Sequence, residues 1–126
     1  MKQNTLSDGE WKLMNLLWLS APRTIGDLVN ELKDDTGWTK ATVNMMLLRL
    51  TDKGAVRVEE GGRAKKFYPV LEQAEAVKQE ARQVFQRVKT GGVGLLVSTM
   101  AQDGQWTDEE IDELYRILKS GRKGHD

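Results

Sequence analysis

A mainly α-helical fold with one small β-hairpin is predicted by three features of the 126-residue chain. Apolar residues recur at helical spacing in three short segments before Gly54, an alternating basic stretch with two glycines follows at 55–69, and beyond Val70 the composition shifts to helix formers. Three helices and a hairpin in that order are the parts of a winged helix-turn-helix. The predicted organisation is a winged helix-turn-helix DNA-binding domain at 1–70, a helical dimerisation domain at 71–120 and a disordered tail at 121–126.

Ser7-Asp8-Gly9-Glu10 has the form of a capping box, with a hydroxyl for one exposed amide and a carboxylate returning the bond three residues later. It opens a first helix whose Trp11, Met14, Leu17 and Trp18 keep helical spacing until Ala21-Pro22 stops the run. Thr24-Ile25-Gly26-Asp27 is a second capping box, and Ile25, Leu28, Val29 and Leu32 then give a short helix one buried face. Asp34-Asp35-Thr36-Gly37 carries turn chemistry. The third helix is expected from a Thr39 cap to about Lys53, with Val43, Met46, Leu47 and Leu50 inward and Gly54 ending it in the left-handed region. Val56 and Val58 alternate with Arg57 and Glu59 as in a half-buried strand, Gly61-Gly62 supply the positive dihedrals of a hairpin turn, and Phe67-Tyr68 return until Pro69 withdraws a backbone donor.

From Leu71 a long helix is expected with Val77, Ala81, Val84, Phe85 and Val88 on one side, broken at Thr90-Gly91-Gly92. Leu95, Leu96, Val97 and Met100 mark a shorter helix ending by Gly104, and the capping box Thr107-Asp108-Glu109-Glu110 opens a last one carrying Ile111, Leu114, Tyr115 and Leu118. Three such helices expose more apolar surface than they can bury among themselves, and burial contributes ~25 cal/mol per Å². A two-fold homodimer through residues 71–118 follows, with Val77, Ala81, Val84, Phe85, Val88, Leu95, Leu96, Met100, Ile111, Leu114, Tyr115 and Leu118 as its contacts. The competing arrangement folds these helices back on the N-terminal domain in a monomer.

The net charge is zero, yet it is segregated: residues 38–70 carry seven basic and three acidic side chains, a net of +4, and residues 91–126 a net of −3. One part is suited to phosphates and another is not. No cysteine is present, which excludes disulfides and thiolate metal ligands. No apolar run reaches the ~20 residues that span a bilayer, and the N-terminus lacks the apolar core of a signal peptide, so a cytoplasmic protein without membrane insertion is expected. Catalysis is not expected: the only histidine is His125, and neither a nucleophile triad nor a phosphate loop is visible. Asp108, Glu109, Glu110, Asp112 and Glu113 resemble a metal cluster only in composition and suit a helix N-terminus, so neither metal nor cofactor is expected.

Leu17-Trp18 closing the first helix, the Thr42-Val43 pair, Arg49-Leu50 before Lys53-Gly54, and Gly62-Arg63 before Tyr68-Pro69 together resemble the penicillinase-repressor family of bacterial regulators, which includes the BlaI and MecI repressors. The resemblance runs from Leu6 to Leu118 and implies a winged helix, a C-terminal dimerisation region and repression at a dyad operator. Relatives of the copper-responsive type carry a cysteine-rich metal site that this chain lacks. In the resistance repressors a membrane sensor system leads to cleavage at an Asn-Phe bond, to which Thr99-Met100 corresponds here, a departure from that motif. Several relatives place a basic residue at the position of Asn44, so a different operator is implied.

In such an architecture the start of the third helix enters the major groove. Asn44 is the candidate for base readout, since an amide pairs bidentately with adenine, and Thr42 or Met45 for contact with a thymine methyl. Thr39, Lys40, Arg49 and Lys53 are candidate phosphate contacts, and Arg63, Lys65 and Lys66 of the wing would meet the backbone or a minor groove. Lys65 and Lys66 also suit an edge strand that must resist aggregation. Trp11, Trp18 and Trp38 read as packing residues, and Trp106 as a staple of the dimer. The function expected is a homodimeric repressor on a palindromic operator of double-stranded DNA. The alternative is a winged-helix protein-interaction module, which the apolar run Met45-Met46-Leu47-Leu48 keeps open.

Overall fold

The computed structural model describes residues 5–123. Its elements are α1 (Asp8–Leu19), α2 (Ile25–Glu31), α3 (Lys40–Asp52), β1 (Val56–Glu59), β2 (Lys66–Pro69), α4 (Gln73–Val88), α5 (Val93–Asp103) and α6 (Asp108–Lys123). A mainly helical fold with a winged helix-turn-helix at its N-terminal end is therefore observed.

All three capping boxes form. Ser7 and Glu10 exchange bonds of 2.9 and 3.2 Å, Thr24 and Asp27 bonds of 3.0 and 3.1 Å, and Thr107 and Glu110 bonds of 3.0 and 3.1 Å. Each satisfies amides that a helix start leaves without partners. Between α2 and α3 the chain turns through Thr36, whose hydroxyl donates to Leu32 O and accepts from Trp38 N, and Gly37 takes φ +67°. Only a residue tolerant of the left-handed region turns the chain there without strain.

The core of the first unit gathers Leu13, Met14 and Leu17 of α1, Leu28 of α2, Val43, Leu47 and Leu50 of α3, Val56 and Phe67 of the hairpin, and Leu6, Leu32, Ala55 and Ala76. Met14, Leu17, Leu28, Leu32, Val43, Leu47 and Leu50 are positions of the apolar stripes read from the sequence, whereas Leu13 is buried outside the expected α1 stripe and Trp11, Trp18, Ile25, Val29 and Met46 are only partly buried at the edge of the core. Trp11 and Trp18 meet edge to face at 5.8 Å beside this core, and the Trp18 indole donates to Leu71 O at 2.9 Å. Trp38 is partly buried against it as well.

β1 and β2 pair antiparallel, Val56 opposite Pro69 and Glu59 opposite Lys66. Arg23, just before α2, adds a bridge to Phe67 through backbone bonds of 3.2 and 2.9 Å. Its guanidinium meanwhile donates to Leu16 O and Ser20 O. The hairpin connection corrects the expected Gly61-Gly62 turn: six residues, Glu60 to Lys65, separate the strands, and of the two glycines Gly61 takes a positive φ, +116°.

The chain divides into two compact units between Gln83 and Val84, not at the predicted 70/71 boundary. The start of α4 belongs to the first unit because Ala76 is buried in its core and the Gln83 amide donates to the Thr5 hydroxyl at 3.1 Å. In the second unit the Trp106 indole donates to Met100 O at 3.3 Å, a fold-back that Gly104 permits, since a Cβ there would stand 2.7 Å from the indole nitrogen. The predicted tail also begins too early: α6 continues to Lys123, because a glycine such as Gly121 costs a helix only about 1 kcal/mol. The remainder of that predicted tail, residues 124–126 with His125, lies outside the described residues.

Candidate nucleic-acid interface

The start of α3 is set by Thr39, whose hydroxyl accepts from Thr42 N at 3.2 Å and donates to the Thr42 hydroxyl at 3.2 Å. The Thr39 hydroxyl is thus spent inside the cap, whereas Thr42 keeps its hydroxyl proton and its methyl group for a partner. The buried stripe Val43, Leu47 and Leu50 holds α3 on the core, which leaves Lys40, Ala41, Thr42, Asn44, Met45, Leu48 and Arg49 exposed.

Three segments converge beside α3. Thr24, Ile25 and Gly26 at the start of α2, Lys40, Ala41 and Asn44 in the first turns of α3, and Ala64 and Lys65 of the wing loop line an open groove of about 570 Å³. The fold therefore brings Lys40, Asn44 and Lys65 to one place, although they are distant in sequence. Thr42, Met45 and Arg49 lie outside that groove on the other exposed faces of α3. Arg63 and Lys66 are exposed on the wing. Lys65 approaches Glu60 to 3.9 Å with both side chains more than half exposed, a pairing too weak to withdraw the cation. Thr24 to Gly26, Ala41 and Ala64 were not among the sequence candidates. Only the capping box at Thr24 signalled that a helix start would lie there, and nothing local signalled its approach to the wing.

Lys53 is a correction. Its ammonium, expected to meet a phosphate, instead makes a 2.5 Å ion pair with Glu10 and donates to Thr5 O at 2.8 Å, tying the end of α3 to the start of α1. The Glu10 side chain is 3% exposed. Burial opposes its ionisation, but hydrogen bonds from Lys53 and from the Ser7 backbone, with the Lys53 charge and the Ser7 hydroxyl, outweigh that and hold its carboxyl below the ordinary value. On the wing, Tyr68 donates to Glu59 at 3.0 Å, which raises the phenol's pKa, and Arg57 stacks 4.0 Å over its ring. This ladder stiffens the hairpin on which the basic loop rides.

The expected dimer contacts are distributed along α4, α5 and α6. Val77, Ala81, Phe85, Leu95, Met100, Ile111, Leu114, Tyr115 and Leu118 are exposed, and Val84, Val88 and Leu96 are partly so. Val93, Val97 and Ile117 are exposed large apolar residues that the candidate set left out. Within the second unit Val97, Met100, Ala101, Trp106, Ile111, Leu114 and Leu118 line an almost wholly apolar groove of about 390 Å³. Thr99 and Met100 lie inside α5. Among the described residues no group of three or more histidine, cysteine or acidic side chains is placed to hold a metal, and no helix is long and apolar enough to cross a membrane.

A helix-turn-helix with an exposed, cation-flanked third helix and a basic wing defines a DNA-binding regulator. Comparison with known proteins names the family. The sequence pattern of the penicillinase repressor family matches residues 6–120, and the chain belongs to that family. It is 28% identical over 114 residues to the penicillinase repressor of Bacillus licheniformis, covering 90% of this chain and 89% of that protein. The solution structure of the DNA-binding domain of the repressor BlaI aligns with a TM-score of 0.52 at 29% identity, over 60% of this chain and 93% of that one. Monomeric Bacillus licheniformis BlaI in complex with the blaP half-operator aligns with a TM-score of 0.50, again at 29% identity and over 60% and 93% of the two chains. The protein is a DNA-binding transcriptional repressor, of a family of regulators and not of enzymes.

Proposed function

We propose that the chain represses transcription as a two-fold homodimer on a palindromic operator, each copy laying α3 in the major groove of one half-site. The convergence of Lys40, Asn44 and Lys65 on one groove carries this reading. In it Asn44 pairs with a base edge, Lys40 and Arg49 hold phosphates, and Arg63, Lys65 and Lys66 follow the backbone beside the groove. The complex of monomeric BlaI with a half-operator supports one copy per half-site, and half-site centres are then roughly 10 base pairs or a multiple apart.

Pairing through α4, α5 and α6 is supported by the apolar side chains these helices leave in water, several of them more than half exposed: Phe85 at 51%, Leu95 at 71%, Met100 at 51% and Leu118 at 58%. A second copy of the same surface covers them with the symmetry that a dyad site needs. Cleavage at Thr99-Met100 by a protease answering an upstream membrane sensor would sever α5 and so undo the pairing, which gives induction a physical route.

Two substitutions test the DNA assignment. With Asn44→Ala, discrimination between the operator and variants at one base pair of each half-site is expected to fall by roughly tenfold or more, as read by competition gel shift. Undiminished discrimination would remove Asn44 from base readout. For Lys65→Ala with Lys66→Ala, the slope of log affinity against log salt is expected to become shallower by about 0.9 for each phosphate that a copy no longer neutralises. An unaltered slope would leave these lysines as edge-strand charges only.

A further inference from the structure

The side of α3 turned furthest from the core is apolar. Val43, Leu47 and Leu50 are buried, and on a helix of 3.6 residues per turn the opposite line runs through Ala41, Met45, Leu48 and Asp52. Met45 is 57% exposed and Leu48 56%, and Ala41 is exposed beside them. Solvent alone gives no reason for two large apolar side chains to be neighbours on this face.

Resting on the reading of α3 as the helix in the major groove, we infer that Ala41, Met45 and Leu48 form a methyl-reading ridge that selects thymines in each half-site. In the major groove a thymine C5-methyl is the apolar feature a side chain can touch, whereas cytosine offers an amino donor, guanine a ring and a carbonyl acceptor, and adenine a ring acceptor and an amino donor. Ala41 to Leu48 spans roughly 10 Å of helix, the rise of about three base-pair steps. The ridge therefore meets successive steps, not one base.

The flanks choose duplex DNA over an apolar protein surface as its occupant. By the same helical geometry Lys40 and Arg49 lie on either side of the ridge, and the wing cation Lys65 lines the groove beside Lys40. Such charges suit phosphates on both sides of a groove and would have to be desolvated against an apolar partner. Thr42, exposed beside Met45, adds a further methyl group to the same end of the helix. Asp52, also exposed, closes the ridge with a carboxylate that phosphates repel, so the reading surface ends at Leu48.

The test begins with selection of bound sequences by the full chain from a random duplex pool, followed by replacing each selected thymine with deoxyuridine, which removes only the methyl group. Selected half-sites are expected to contain thymines, each methyl removed at the ridge is expected to weaken binding roughly fourfold, and Met45→Ala with Leu48→Ala is expected to abolish that sensitivity. Both side chains are exposed, and an unchanged melting curve for the variant checks that its fold persists. Enrichment of sites indifferent to uracil, or equal sensitivity in the variant, would overturn the methyl-reading ridge while leaving α3 as a DNA-reading helix. No enrichment at all would overturn both.

Discussion

Tyr115→Glu combined with Leu118→Glu is expected to yield a folded monomer whose affinity for a dyad duplex is lower by on the order of 100-fold or more. The two side chains are 62% and 58% exposed in the single chain, so charging them costs its own fold little. Against a second copy the same carboxylates would be buried without partners, which is expensive. The affinity falls because the second half-site is no longer engaged within one complex, where its effective concentration reaches the millimolar range. Light scattering after size exclusion reads the mass, and anisotropy reads affinity for dyad and half-site duplexes. Half-site affinity is expected to persist, since the winged helix does not contain these residues. A variant that remains dimeric with undiminished dyad affinity would remove this face of α6 from the interface.

Lys53→Met is expected to destabilise the first unit by about 3 kcal/mol, because it strands the buried Glu10 carboxylate without its cation. A urea transition moved well below that of the unaltered chain is the expected result, with the salt slope of the remaining DNA binding unchanged. An unmoved transition with a slope shallower by about 0.9 would mean that Lys53 contacts a phosphate after all. The same pair predicts a pH dependence. Because the folded state holds the Glu10 carboxyl below its ordinary value, the stability it contributes is complete above the unfolded pKa of about 4.3 and is lost as pH falls through the lower folded value. Glu10→Gln should flatten that acid limb, and urea midpoints from pH 7 down to pH 3 would show it.

The helices of the first unit are legible in the sequence because their signals are local. Capping boxes at Ser7 and Thr24 rest on residues three apart, and the apolar periods of α1, α2 and α3 name most of their buried positions. What escapes depends on partners far along the chain. Lys53 looks like any basic residue at the end of a reading helix, and only the fold reveals Glu10, 43 residues away, beside it. Nothing local singles out Arg23, yet its backbone bridges to Phe67 and its guanidinium donates to Leu16 O and Ser20 O at the end of α1. Ala76 fits either face of a helix, so nothing in the sequence marks it as core or moves the boundary into α4. The ridge of α3 is half visible. Met45 stands out by residue type, whereas Ala41 and Leu48 become meaningful once the buried stripe fixes which side faces outward.

On the proposed function, the surface formed by α2, α3 and the wing meets duplex DNA twice, once from each of two paired copies. Sedimentation of the full chain with a labelled duplex spanning the gene's own upstream region measures this directly, as the number of chains carried per duplex. Two chains per duplex, dissociating together as salt is raised, is the predicted result. A complex holding one chain, or no complex at moderate salt, would contradict it.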